Sequence, residues 1–93
     1  MSTIIKEQIS SQIEELLTQP HILILHNDDY NSFDFVISKL MDICGHEYEQ
    51  ASQCAHIVHF RGKCDVKRGD YETIMVMYKK LKNLGLSVST ELA

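Results

Sequence analysis

Ninety-three residues with 44% apolar content suffice for one small domain with a modest core, and no run is long and apolar enough to suggest a membrane span. The start lacks a basic-then-apolar-then-small signal pattern, and Cys44, Cys54 and Cys64 form an odd set without CxxC spacing. The expectation is a monomeric cytoplasmic domain without disulfides or cofactors. The net charge of −4 divides unevenly, with nine acids against two bases in residues 1–60 and seven bases against four acids in residues 61–93. Those bases lack interleaved aromatics for base stacking, which argues against nucleic acid.

In chain order, residues 2–19 place Ile5, Ile9, Ile13 and Leu16/Leu17 at helical spacing before the only proline, Pro20. The spacing fits either a short amphipathic helix or a flexible extension that folds on a partner, because isolated helices of this length are marginal in water. The expected division is an extension over 1–20 and a folded domain over 21–93. His21–His26 holds a continuous Ile-Leu-Ile-Leu run, predicting a strand buried on both faces and covered by helices. Asn27–Asn31 consists of strong loop formers. Ser32 can cap a helix with Asp34 in its first turn, and Phe33, Val36, Ile37, Leu40, Met41 and Cys44 trace its apolar face up to Gly45.

Glu47 to about Val58 reads as a second helix with Tyr48, Ala51, Cys54, Ala55 and Val58 inward, broken by Phe60-Arg61-Gly62-Lys63. Cys64–Val66 reads as a short strand. Asp70 caps a third helix with Tyr71, Ile74, Met75, Tyr78, Leu81 and Leu84 on its apolar side, ended by Gly85; Leu86–Thr90 alternates as a last strand. The predicted class is α+β, in the order β-α-α-β-α-β, with three helices packed on a three-stranded sheet.

The first strand ends in Asn27-Asp28-Asp29, an amide and two adjacent carboxylates at the edge of an apolar surface. Such residues can bond nearby backbone N–H groups, or they can receive a cation, since adjacent carboxylates stay ionised only where something positive or open water compensates. His56 and His59 are three apart on a helix and could share a metal, but no third ligand stands at motif spacing, so no metal is expected. The cysteines fall at core positions, and no nucleophile, phosphate-loop or dinucleotide motif occurs. The expectation is a binding protein rather than an enzyme.

His26-Asn27-Asp28-Asp29-Tyr30, Phe35-Val36 and Val58-His59-Phe60-Arg61-Gly62-Lys63, at their mutual spacing, resemble the ClpS adaptor family of the bacterial Clp protease over about residues 21–90. The resemblance implies an N-end rule adaptor. Such a protein captures N-degron substrates whose first residue is bulky and apolar (Leu, Phe, Tyr or Trp) and delivers them to the ClpA-type AAA+ unfoldase. It matches Asn27, Asp29 and His59 to positions that bind the free α-amino group and Asp28 to a position beside the start of the peptide backbone. Phe33, Val36, Ala55 and Val58 match the walls of the side-chain pocket, and Tyr30 and Glu72 match positions at the unfoldase contact.

The physics of those residue types agrees with that reading. An α-amino group is mostly cationic at neutral pH, and an amide oxygen, a carboxylate and a neutral imidazole are all acceptors for its three donors. Protonating His59 turns an acceptor into a repelling cation, so affinity is expected to fall in mild acid. Ala55 stands where the best-known members carry a bulky Met, which predicts measurable affinity for N-terminal Ile. The third helix is about five residues shorter than in those members, and Met77 replaces a lysine at the docking surface. Two other readings compete. One is a partner-docking domain resembling the ribosomal stalk C-terminal domain, which leaves Asn27, Asp29 and His59 without a task. The other is a small metal-dependent hydrolase built on Asp28, Asp29, His56 and His59.

Overall fold

A computed structural model describes residues 2–93, with side chains described from residue 10 onward. Its elements are α1 (Ser2–Thr18), β1 (His21–His26), α2 (Phe33–Cys44), α3 (Tyr48–Arg61), β2 (Lys63–Gly69), α4 (Tyr71–Asn83) and β3 (Val88–Leu92). From β1 onward this is the anticipated α+β order, and α1 adds a fourth helix in front. The sheet runs β2-β1-β3, antiparallel throughout.

The central strand explains the layering. Leu23 and Leu25 point to one face and are fully buried with Leu40, Ile74 and Leu81 from α2 and α4. Each such side chain contributes about 1.5–3 kcal/mol by leaving water. Ile24 points the other way, opposite Asp65 and Ser89, and lies outside this cluster although it is only 3% exposed. Among the described residues, the core that α2, α3 and α4 form on β1 thus gathers on one face of the strand, not on both as the apolar run predicts.

Three other boundaries differ from the sequence expectation. α3 continues through Phe60 and Arg61, because the chain turns only at Gly62, whose φ of 93° is left-handed and whose N–H closes on the Val58 carbonyl. β2 is seven residues long rather than three, since its polar residues are held by pairing along the whole of β1. β3 starts at Val88, because Leu86 turns into the core ahead of it. Tyr48, expected inward, is 59% exposed in the first turn of α3.

A bulge opposite Leu23/Ile24 inserts an extra β2 residue and turns Val66 into the core. Buried His46 donates from Nε2 to the Val66 carbonyl at 2.6 Å, tying the α2–α3 connection to that irregularity. At the other end, His21 Nε2 donates to the Leu16 carbonyl at 2.8 Å, and its ring meets Tyr71 edge-on at 5.3 Å. These contacts seat the end of α1 on the domain, while Ile13, Leu16 and Leu17 remain about half exposed.

Candidate functional site

A half-open cavity of about 60 Å³ lies where the end of β1, the following loop, the first turn of α2 and the last turns of α3 converge. Leu25, His26, Asn27, Asp28, Asn31, Phe33, Val36, Ala55, Val58 and His59 line it. Two sets of side chains meet there, one rich in acceptors and one apolar.

The acceptor side is a loop held from three directions. The Asn27 N–H donates to the Gly62 carbonyl at 2.8 Å, joining the loop to the end of α3 just beyond His59. The His26 N–H donates to the Ser87 carbonyl at 2.8 Å, joining it to the approach of β3. The Asp28 carboxylate holds the turn itself. Its Oδ1 accepts from the N–H groups of Tyr30 at 3.0 Å and Asn31 at 2.9 Å. Its Oδ2 accepts from the Asn31 amide at 2.9 Å and the Ser87 hydroxyl at 3.2 Å. The second hydrogen of that Asn31 amide goes to the Gly85 carbonyl at 3.0 Å. Burial pushes the Asp28 carboxyl up, but the bonds from Asn31, Tyr30 and Ser87 together outweigh it and hold it below its ordinary value.

The apolar side is set by helix register. Ser32 caps α2 by accepting the Phe35 N–H at 3.1 Å, which places Phe33 in the first turn and Val36 one turn on, over the cavity. Ala55 and Val58, buried and three apart on α3, form the facing wall. Phe33 is 39% exposed, and its ring lies 5.1 Å from His56 and 5.3 Å from His59. Phe60 meets His59 edge-on at 5.1 Å. His56 donates from Nδ1 to the Ser52 carbonyl at 2.8 Å. Among the described residues, neither ring nitrogen of His59 is engaged by another protein group.

Of the sequence-derived candidates, Asn27, Asp28, His59, Phe33, Val36, Ala55 and Val58 thus surround one cavity. Asp29 is exposed on the loop and is not part of its wall. Tyr30 is 95% exposed. Glu72 lies elsewhere, in a groove with Ile43, Thr73, Val76, Met77 and Lys80. Leu25, His26 and Asn31 also line the cavity and were not singled out from the sequence. The first two belong to the same strand end as Asn27, so the motif carried their signal, whereas Asn31 reads only as a turn former.

Among the described residues, no three His, Cys, Asp or Glu side chains converge as a metal site. His56 and His59 pack at a tilt against the Phe33 ring. Burial pushes the thiols of Cys44 and Cys54 up to about 11 and about 12, with a hydrogen bond to Cys64 adding to the shift at Cys54. They are neutral core groups, not nucleophiles. No helix among the described residues is long and apolar enough to cross a membrane.

Residues 17–89 match the family model of the ATP-dependent Clp protease adaptor protein ClpS. A ClpS adapter protein of Oleidesulfovibrio alaskensis is 41% identical over 59 residues, covering 61% of this chain and 57% of that protein. Its counterpart in Desulforapulum autotrophicum is 36% identical over 61 residues, covering 63% of this chain and 59% of that protein. The matched stretch thus spans less than two thirds of either relative. The solved structure of Agrobacterium tumefaciens ClpS2 bound to L-phenylalaninamide superposes with a TM-score of 0.77, over 81% of this chain and 98% of that one, at 21% identity. That likeness is one of fold.

Proposed function

Since the chain belongs to the ClpS family of ATP-dependent Clp protease adaptor proteins, we propose that it captures polypeptides by their free first residue and delivers them to the AAA+ unfoldase of the Clp protease. The observation that carries this reading is the meeting of hydrogen-bond acceptors and apolar walls around one small cavity. A free N-terminal residue offers the complement, an ammonium with three donors attached one carbon from a side chain.

In this reading Asn27 and His59 receive the α-amino group at the cavity, Asp29 adds its charge from the exposed loop beside it, and Asp28 stands beside the start of the peptide backbone. Phe33, Val36, Ala55 and Val58 enclose a bulky apolar first side chain, Leu, Phe, Tyr or Trp, with Ile admitted by the small Ala55. L-phenylalaninamide, the molecule bound in the Agrobacterium tumefaciens protein, has a free amine and a benzyl group. Charge-assisted bonds contribute about 1.5–3 kcal/mol each, so the amine is as important as the side chain. Tyr30, through its exposed ring, and Glu72, in its groove beside exposed Val76, face the unfoldase, and α1 engages it during transfer. No bond is made or broken at the cavity; the role is recognition.

The test is fluorescence polarisation of a labelled peptide beginning with a free Phe, beside its N-acetylated copy. Micromolar or tighter binding that acetylation abolishes is the expected result. Equal binding of both, or of neither, refutes the amine receptor.

A further inference from the structure

A carboxylate has about four lone-pair sites, and at Asp28 four donors fill them: two backbone N–H groups, the Asn31 amide and the Ser87 hydroxyl. Nothing is left for a direct bond to an ammonium. Two of these donors are local. Asn31 and Ser87 reach further: Asn31 spans from Asp28 to the Gly85 carbonyl, and Ser87 comes from 59 residues away in sequence. The residue before Asp28 is Asn27, whose own N–H is pinned to Gly62 at the end of α3. Asn27 lines the cavity, and the backbone that carries it is held by two successive N–H groups, that of His26 bonded to Ser87 ahead of β3 and its own bonded to Gly62 at the end of α3.

We infer that Asp28 is a positioning residue, and that Asn31 and Ser87 act through it to set Asn27 against His59 at the geometry an α-amino group requires. This assigns a recognition role to Asn31 and Ser87 and moves Asp28 from contacting the ligand to holding the loop. The charge of Asp28 still favours a cation in the cavity, without a bond to it. The inference rests on reading the cavity as an amine receptor.

A bracket of this kind serves every first residue alike. Losing one of its bonds to the Asp28 carboxylate, only part of whose strength is passed on to the ligand, corresponds to roughly a three- to ten-fold loss of affinity. Ser87→Ala is expected to weaken free-amine Leu and Phe peptides by the same factor, and Asn31→Ala, which removes two bonds, by more. Ser87→Thr, which restores the hydroxyl, should recover the affinity. Thermal melts of each variant confirm that the domain is folded.

A second readout does not involve peptide. In the free protein, NMR titration of the Asp28 carboxyl should give a low midpoint that rises in Ser87→Ala and Asn31→Ala. A midpoint that stays in place overturns the bracket. A midpoint that rises with affinity unchanged, with unequal losses for Leu and Phe peptides, or with no rescue by Thr, overturns the positioning role. If the wild-type chain binds no free-amine peptide, the receptor reading fails and the positioning role with it, while the titration still decides whether the bracket exists.

Discussion

The two sides of the cavity are built by different forces. The loop side, Asn27 to Asn31, is held by directional bonds to Gly62, Gly85 and Ser87, groups that lie far away in sequence. The helical side, Phe33 with Val36, Ala55 and Val58, is held by packing, and its outermost ring is partly exposed against two imidazoles. Hydrogen bonds fix a geometry within tenths of an ångström, which suits the invariant part of a ligand, its amine. Dispersion contacts tolerate shape changes of a methyl group at modest cost, which suits the variable part, its side chain. In the proposed reading, one side sets whether a chain end is accepted, and the other sets which residue is preferred.

The largest expected effect comes from breaking the acceptor side. Asn27→Ala or His59→Ala should each weaken binding of every free N-terminal peptide by roughly 10- to 100-fold, from the loss of one charge-assisted bond. Isothermal titration with Leu, Phe and Trp peptides checks this, and a loss confined to one of them would break the division of labour.

Next in size is the wall. Ala55→Met should reduce affinity for N-terminal Ile about ten-fold, since a methylene-scale mismatch in an apolar pocket costs about 1–3 kcal/mol, while Leu changes less. Phe33→Ala enlarges the cavity and should shift the ranking of first residues toward Trp by a few-fold, leaving the effect of acetylation intact. Competition binding across a set of first residues reads both changes. A variant at either position that loses the dependence on the free amine would show that the two sides are not separable.

The smallest effect concerns stability in acid. Asp28 and Asp70 both titrate below their ordinary value of 3.8 in the folded chain, Asp28 despite burial and Asp70 through its cap bonds to Thr73. A depressed carboxyl contributes stability that is fully present above the unfolded value and is lost as the pH falls through the folded one. The Tm should therefore decline below about pH 4 by this linkage. Asp70→Asn, which keeps a capping side chain without the charge, should flatten that decline slightly. Melts followed by circular dichroism from neutral pH to pH 2 provide the comparison, and an unchanged slope would remove Asp70 from the linkage.

Much of this molecule is legible in its sequence. Ser32 and Gly45, with the 3.6-period stripe between them, marked α2 to within a residue, and Asp70 marked the start of α4, because caps and periodicity are local signals. The strand end at Asn27 marked the cavity for the same reason. Local signals misled where a partner strand or helix decides. β2 looked too polar to be seven residues long, and Ile24 looked like a residue awaiting a helix. The Asp28 pair of readings, loop brace or cation receptor, stayed open in the sequence, because Ser87 is invisible from position 28.

What the sequence by itself determined is the set of elements from β1 onward, the caps of α2 and the start of α4, and the residue types brought to the end of β1: these follow from side-chain periodicity and backbone preference within about one helical turn. Only the tertiary structure decided which acceptors remain free. Pairing β1 with β2 and β3 brings Gly62 and Ser87 to the loop, where Ser87 fills the last site on Asp28, while Asn27 and His59 are left facing the cavity. An acceptor group offers a limited number of lone-pair sites, and which of them are taken depends on neighbours that only folding brings within about 3 Å.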